Sequence, residues 1–177
     1  MRKEYGKALR EVFTQELKVH LPQFLPVKIS SLNIFPGERG FRWVPAEPTH
    51  FWIILCPDQK GHEAFTVELG WSRLGRFPEL GMRPSSNAPS ENRDEFALEE
   101  YVCRLGMLMT GGDLWWHLEN PLEHLASQET YMAYLQQKVS PISQEEATRI
   151  VRPRAEDAVE KLRLYAVPYL EEAHRFR

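Results

Sequence analysis

Residues 51–56, Phe-Trp-Ile-Ile-Leu-Cys, are apolar at every position. An apolar run of this length without alternation suits a strand covered on both faces, so this segment belongs in the middle of a sheet. The segments around it do alternate. Phe41 and Trp43 flank Arg42, Leu32 and Ile34 alternate with Ser31 and Asn33, and Phe65, Val67, Leu69 and Trp71 alternate with Thr66, Glu68, Gly70 and Ser72. Period two is that of strands buried on one side. Turn residues stand between them: Pro36, Gly37 and Gly40, then residues 45–49, then Pro57, Asp58 and Gly61. The expectation is an antiparallel meander of three or four strands with residues 51–55 at its centre.

Helical spacing brackets this sheet. Tyr5, Leu9, Val12, Phe13 and Leu17 form one stripe with charged residues on the other faces, which predicts a helix over residues 2–20, stopped by Pro22 and Pro26. After the sheet, residues 73–91 hold Gly75, Pro78, Gly81, Pro84 and Pro89, too much punctuation for a regular element. Loops of that length in a compact domain are often functional. Asn92 with Glu95 resembles a capping box, and Phe96, Leu98, Val102, Leu105, Leu108 and Met109 then predict a helix ending at Gly111 and Gly112. Asp113 is placed to cap a short helix bearing Leu114, Trp115, Trp116 and Leu118, and Ser127 to open another through Met132, Leu135 and Val139. Ser143 and Glu146 are the clearest capping box, leading through Ala147, Ile150 and Val151 to a kink or restart at Pro153. Ala155, Ala158, Val159, Leu162 and Ala166 continue the stripe, Asp157 and Lys161 pair along it, and Pro168 is expected to close it. The order of elements predicts a single α+β domain over residues 1–177, its helices packed on one face of the sheet.

With 177 residues, 42% of them hydrophobic, the chain can bury a core without a metal, a disulfide or a cofactor. Lys+Arg 22 against Asp+Glu 25 leaves a net charge of −3, which lacks the basic footprint of a nucleic-acid binder. The expectation is therefore no nucleic-acid partner. No signal peptide is legible, and no run approaches the roughly 18 apolar residues of a membrane span. A cytoplasmic location without membrane contact is expected. Cys56 and Cys103 lie in apolar segments without Cys-x-x-Cys spacing, as free thiols in a reduced compartment would.

Chemistry-bearing patterns are few. Of the six histidines, His50 and His62 are expected at the same end of a hairpin with Asp58 between them, short of the three or four convergent ligands of a zinc site. His117 and His124 lack metal-ligand spacing, so no metal is expected. Neither cysteine sits in an electropositive niche, and no nucleophile elbow, Walker loop or dinucleotide fingerprint is present, so no catalytic residue is assigned. The segment Trp71, Arg73, Arg76 and Phe77, with Arg83 and, further on, Trp115 and Trp116, is rich in the residue types that anchor interfaces. One reading makes these residues a partner-binding surface. The other puts Trp71 and one of Trp115 and Trp116 in the core and pairs the arginines with Glu79, Glu91, Asp94 or Glu95. A protein-binding module of the immunity or antitoxin kind leads the functional expectations. The alternative is an enzyme whose Arg73, Arg76 and Arg83 clamp a small anionic or phosphorylated ligand, with His62 or His117 as base.

The amphipathic first helix, Gly40-Phe41, residues 51–55, Phe65-Thr-Val-Glu-Leu-Gly70, Gly112-Asp-Leu-Trp115-Trp116 and Val167-Pro168-Tyr169 together resemble the bacterial domain-of-unknown-function group numbered four-three-zero-four. The resemblance implies a helix-flanked antiparallel sheet and a bacterial cytoplasmic origin, and it implies no activity.

Overall fold

The structure, a computed structural model, describes residues 1–29, 34–60, 62–79, 87–109, 111–119, 132 and 141–176. Helix α1, Lys3–His20, buries the predicted stripe of Tyr5, Leu9, Val12, Phe13 and Leu17. Strands β1, Leu25–Val27, β2, Arg39–Ala46, β3, Thr49–Pro57, and β4, Ala64–Ser72, follow. Next come a 3-10 turn, Asp94–Ala97, strand β5, Glu100–Arg104, and a short helix α2, Leu105–Met109. A two-residue strand β6, Trp116–His117, precedes helix α3, Gln144–Lys161, a π turn, Leu162–Ala166, and helix α4, Val167–Arg175. The strands form one antiparallel sheet in the order β1-β2-β3-β4-β5, with β6 pairing the start of β4. This is the expected α+β architecture, with more strands than the meander predicted.

Register fixes what each face carries. Phe51 opposite Trp71, Ile53 opposite Leu69, Leu55 opposite Val67, and Tyr101 and Cys103 beyond them point to the helices. There they meet Val12 and Phe13 of α1, Val151, Ala155 and Ala158 of α3, and Tyr169 and Leu170 of α4 in one apolar core. The other face carries Trp52, Ile54 and Cys56 of β3, Thr66, Glu68, Gly70 and Ser72 of β4, and Val102 and Arg104 of β5. Gly70 is required where β5 passes, since a Cβ there would lie 2.0 Å from the Tyr101 carbonyl oxygen.

β4 departs from expectation because all nine of its residues are buried, the polar ones included. Irregular chain covers its second face: Trp52 Nε1 donates to the Arg76 carbonyl at 3.2 Å, Phe77 meets the Trp52 ring edge-on at 5.0 Å, and Thr66 Oγ1 donates to the Leu114 carbonyl at 2.8 Å. The helix expected from Asn92 is replaced by the 3-10 turn and β5. Arg93 takes a left-handed φ of 59°, and Glu95 accepts from Tyr169 and Ser90 instead of closing a capping box. Tyr101, Val102 and Cys103 suit a strand, and the ladder offered by β4 outweighs the helical spacing.

The short helix expected after Asp113 is also corrected, to strand β6. The Ser127 helix lies outside the described residues, apart from Met132. Leu32 also lies outside them, and Ile34 belongs to no strand.

At Ser143 the expected cap forms, its Oγ accepting from the Glu146 N–H at 3.1 Å. Helix α3 then continues through Pro153 without a restart, and Pro168 does not close the helical chain. The π turn ends at Ala166, two residues before Pro168, whose missing N–H would otherwise interrupt an α-helical ladder. Among the described residues, no helix is long and apolar enough to cross a membrane.

Candidate functional site

The aromatic and arginine residues of the predicted surface go to different places. Trp71 is fully buried against Phe96, Tyr101 and Tyr169, its indole N–H donating to the Leu98 carbonyl at 3.1 Å. Arg73 is buried as well. Its guanidinium donates to the carbonyls of Phe96 at 2.7 Å, Leu98 at 2.8 Å and Ala173 at 2.8 Å, tying the end of β4 to the turn before β5 and to α4. Both side chains are thereby off the surface. Arg76 is exposed but engaged by Glu79 and by Glu100, whose oxygen lies 3.4 Å from its Nε. Phe77 is half-buried on Trp52, and Arg83 lies outside the described residues.

The two adjacent tryptophans divide between the faces of the sheet. Trp116 stacks on Phe65 in the core, with its indole N–H donating to Asp157 of α3 at 2.8 Å. Trp115 goes to the other side, where a recess opens at the end of the sheet marked by the β3–β4 turn.

This cleft has a volume of about 560 Å³, within the usual range for ligand sites. Glu68 on β4 and Arg104 on β5 are register partners and so share its floor, with Arg104 Nε 3.8 Å from the Glu68 carboxylate. Asp113 closes on Arg104 from the opposite wall and accepts the Trp115 indole N–H at 3.0 Å. The guanidinium lies 5.1 Å from the Trp115 ring centroid, a cation–π contact. Arg104 is thus held between two carboxylates and against an indole. On the turn side, Asp58 accepts from the backbone of Lys60 and of His62, both at 2.8 Å, and lies 3.5 Å from His62 Nδ1. His117, opposite Ala64, and the half-exposed Phe35 complete the rim. Hydrogen bonds and ion pairs therefore set the walls in advance of any ligand.

Histidines gather differently from the sequence expectation. His50 and His62 stand at opposite ends of β3, because nearly the whole strand lies between them, and it is His62 and His117 that share the cleft. No group of three or more His, Cys, Asp or Glu residues is disposed to hold a metal among the described residues. Cys56 and Cys103 are buried and form no disulfide. Cys103 faces the helices, where burial pushes its thiol up to about 12, away from nucleophilic use. Beside it, burial would raise the Glu95 carboxyl, but hydrogen bonds from Tyr169 at 2.7 Å and from Ser90 hold it below the usual glutamate value.

Sequence reasoning missed Glu68, Arg104 and Asp113. Glu68 reads as a solvent-facing position of an alternating strand, and Arg104 as part of a helix. Reading residues 100–104 as a strand would have made Glu68 and Arg104 a cross-strand ion pair, the one signal available. No family model, curated protein or solved structure matches this chain.

Proposed function

We propose that this chain is a small non-catalytic protein-binding module of the bacterial cytoplasm, of the immunity or antitoxin kind, and that it meets its partner at the cleft on the second face of the sheet. The observation that carries this reading is the preformed cleft, with Trp115 held against Arg104 of its floor. Arginine and tryptophan held in one rotamer lose little further entropy on association, which is why such residues dominate binding energy at interfaces. The chain's place in the four-three-zero-four group belongs to the same proposal, supported by the order of helix, antiparallel sheet and helices. The anion-clamping enzyme receives less support: Arg73 is spent on three backbone carbonyls and Arg76 on two carboxylates.

A blocked cleft tests the reading. His62 lines it and its side chain is 68% exposed, so His62→Trp obstructs the opening with little effect on folding. A partner retained by the native chain from a lysate of the source organism, and lost by His62→Trp at an unchanged melting temperature, supports the module. Equal capture by both chains overturns the assignment of the site.

A further inference from the structure

Of the five tryptophans, Trp43, Trp52, Trp71 and Trp116 each pack against another ring. Trp115, in the wall of the cleft, meets no other ring among the described residues. Its one polar group is already engaged, the indole N–H donating to Asp113 at 3.0 Å, so what it presents to an incoming group is its ring. Arg104 fixes the plane of that ring, with its guanidinium 5.1 Å from the centroid. A cation over an indole draws π density toward itself and improves the stacking of the indole on an electron-rich ring.

The rest of the lining discriminates between guests. Among the described residues it holds no Leu, Ile, Val or Met, the side chains that make an aliphatic groove, while His62 and His117 add imidazoles to the indole. A branched aliphatic group would find no matching surface there, and a flat ring would find planar ones. The volume of about 560 Å³ admits a phenyl or phenol group together with the backbone that carries it.

We infer that the cleft receives an aromatic side chain of the partner, a tyrosine or phenylalanine whose ring stacks on Trp115. This inference rests on the cleft being the protein-binding site and names what the partner inserts there. Aromatic side chains anchor protein interfaces because a rigid ring buries a large area at a small loss of conformational entropy.

The test titrates the isotope-labelled full chain with blocked Gly-Tyr-Gly, Gly-Phe-Gly and Gly-Leu-Gly tripeptides and with a cyclohexylalanine counterpart, which has the outline of phenylalanine without π electrons. The tyrosine and phenylalanine peptides should saturate the Trp115 indole signals at about millimolar concentration, shift them upfield by ring current and give nuclear Overhauser contacts from probe ring to indole. The leucine and cyclohexylalanine peptides should bind a few-fold to about tenfold more weakly. Trp115→Leu, followed on the His62 imidazole resonance, should remove that preference. Should this variant fail to fold, the Overhauser contacts in the native chain decide, and their absence overturns the proposal.

Cyclohexylalanine or leucine binding as tight as that of the ring peptides overturns the proposal, as does a ring preference that survives in Trp115→Leu. A native chain that takes up no ring peptide yet loses its partner on His62→Trp overturns the ring assignment alone. Ring uptake by a chain whose capture ignores His62→Trp supports stacking on Trp115 and overturns the partner as the source of the ring.

Discussion

The two faces of the sheet are buried by different means. The helical face presents Phe51, Ile53, Leu55, Val67, Leu69 and Trp71 to α1, α3 and α4, whose backbones satisfy most of their own hydrogen-bonding groups internally. Apolar area and shape are all that this cover requires. On the second face the described cover is irregular chain, and irregular backbone needs partners for its carbonyls. They come from side chains: Trp52 to Arg76, Thr66 to Leu114, and Asn87 Nδ2 to the Val102 carbonyl at 3.3 Å. Polar residues are thereby drawn into buried positions on this face, and where the cover stops they line a cleft. A face covered by coil is the one on which a polar site arises.

The largest test of this contrast is Trp71→Ala on the helical face. It removes the largest fully buried side chain and should cost about 3–5 kcal/mol in chemical denaturation. A loss below about 1 kcal/mol would mean that the helical cover collapses into the gap.

Arg73→Ala comes next. Three carbonyls lose a charged donor, and a loss of about 3 kcal/mol is expected, against less than about 1 kcal/mol for Arg76→Ala at an exposed ion pair. Equal effects of the two would erase the distinction between the buried and the exposed arginine of one loop.

Glu95→Gln should cost about 1–3 kcal/mol at neutral pH, since Tyr169 and Ser90 donate to its carboxylate. The folded pKa lies below the unfolded value of about 4.3, so this stabilisation is fully present above that value and is lost as pH falls through it toward the folded pKa. Acid unfolding of the variant should therefore lack that part of the native slope below about pH 5. An unchanged slope would show that Glu95 stabilises the fold through shape alone.

The smallest effect belongs to the second face. Thr66→Val keeps volume and removes one hydrogen bond to Leu114, at an expected loss of about 1 kcal/mol. The same change should broaden the Trp115 indole resonance, because the segment that carries it is pinned there. A sharp, unshifted resonance would assign the cleft wall to the Arg104 and Asp113 contacts alone.

What could be read from the chain by itself were the elements whose residues repeat a local period against an unambiguous environment. The α1 stripe, the unbroken apolar run of β3 and the Ser143 cap each depend on neighbours within a few residues, and each stands where periodicity put it. β5 could not be read this way. Its apolar positions fit a helix, and only the open edge of β4 makes a strand the better use of Tyr101 and Cys103. The same ladder decides the site, because Arg104 reaches Glu68 only across two strands 36 residues apart in sequence, Glu68 to Arg104. Local patterning determined which residues are buried on the helical side, since apolar burial is additive along a stripe. Only tertiary structure decided which polar residues are brought together on the other, because an ion pair depends on register and on the path of the irregular chain that covers it.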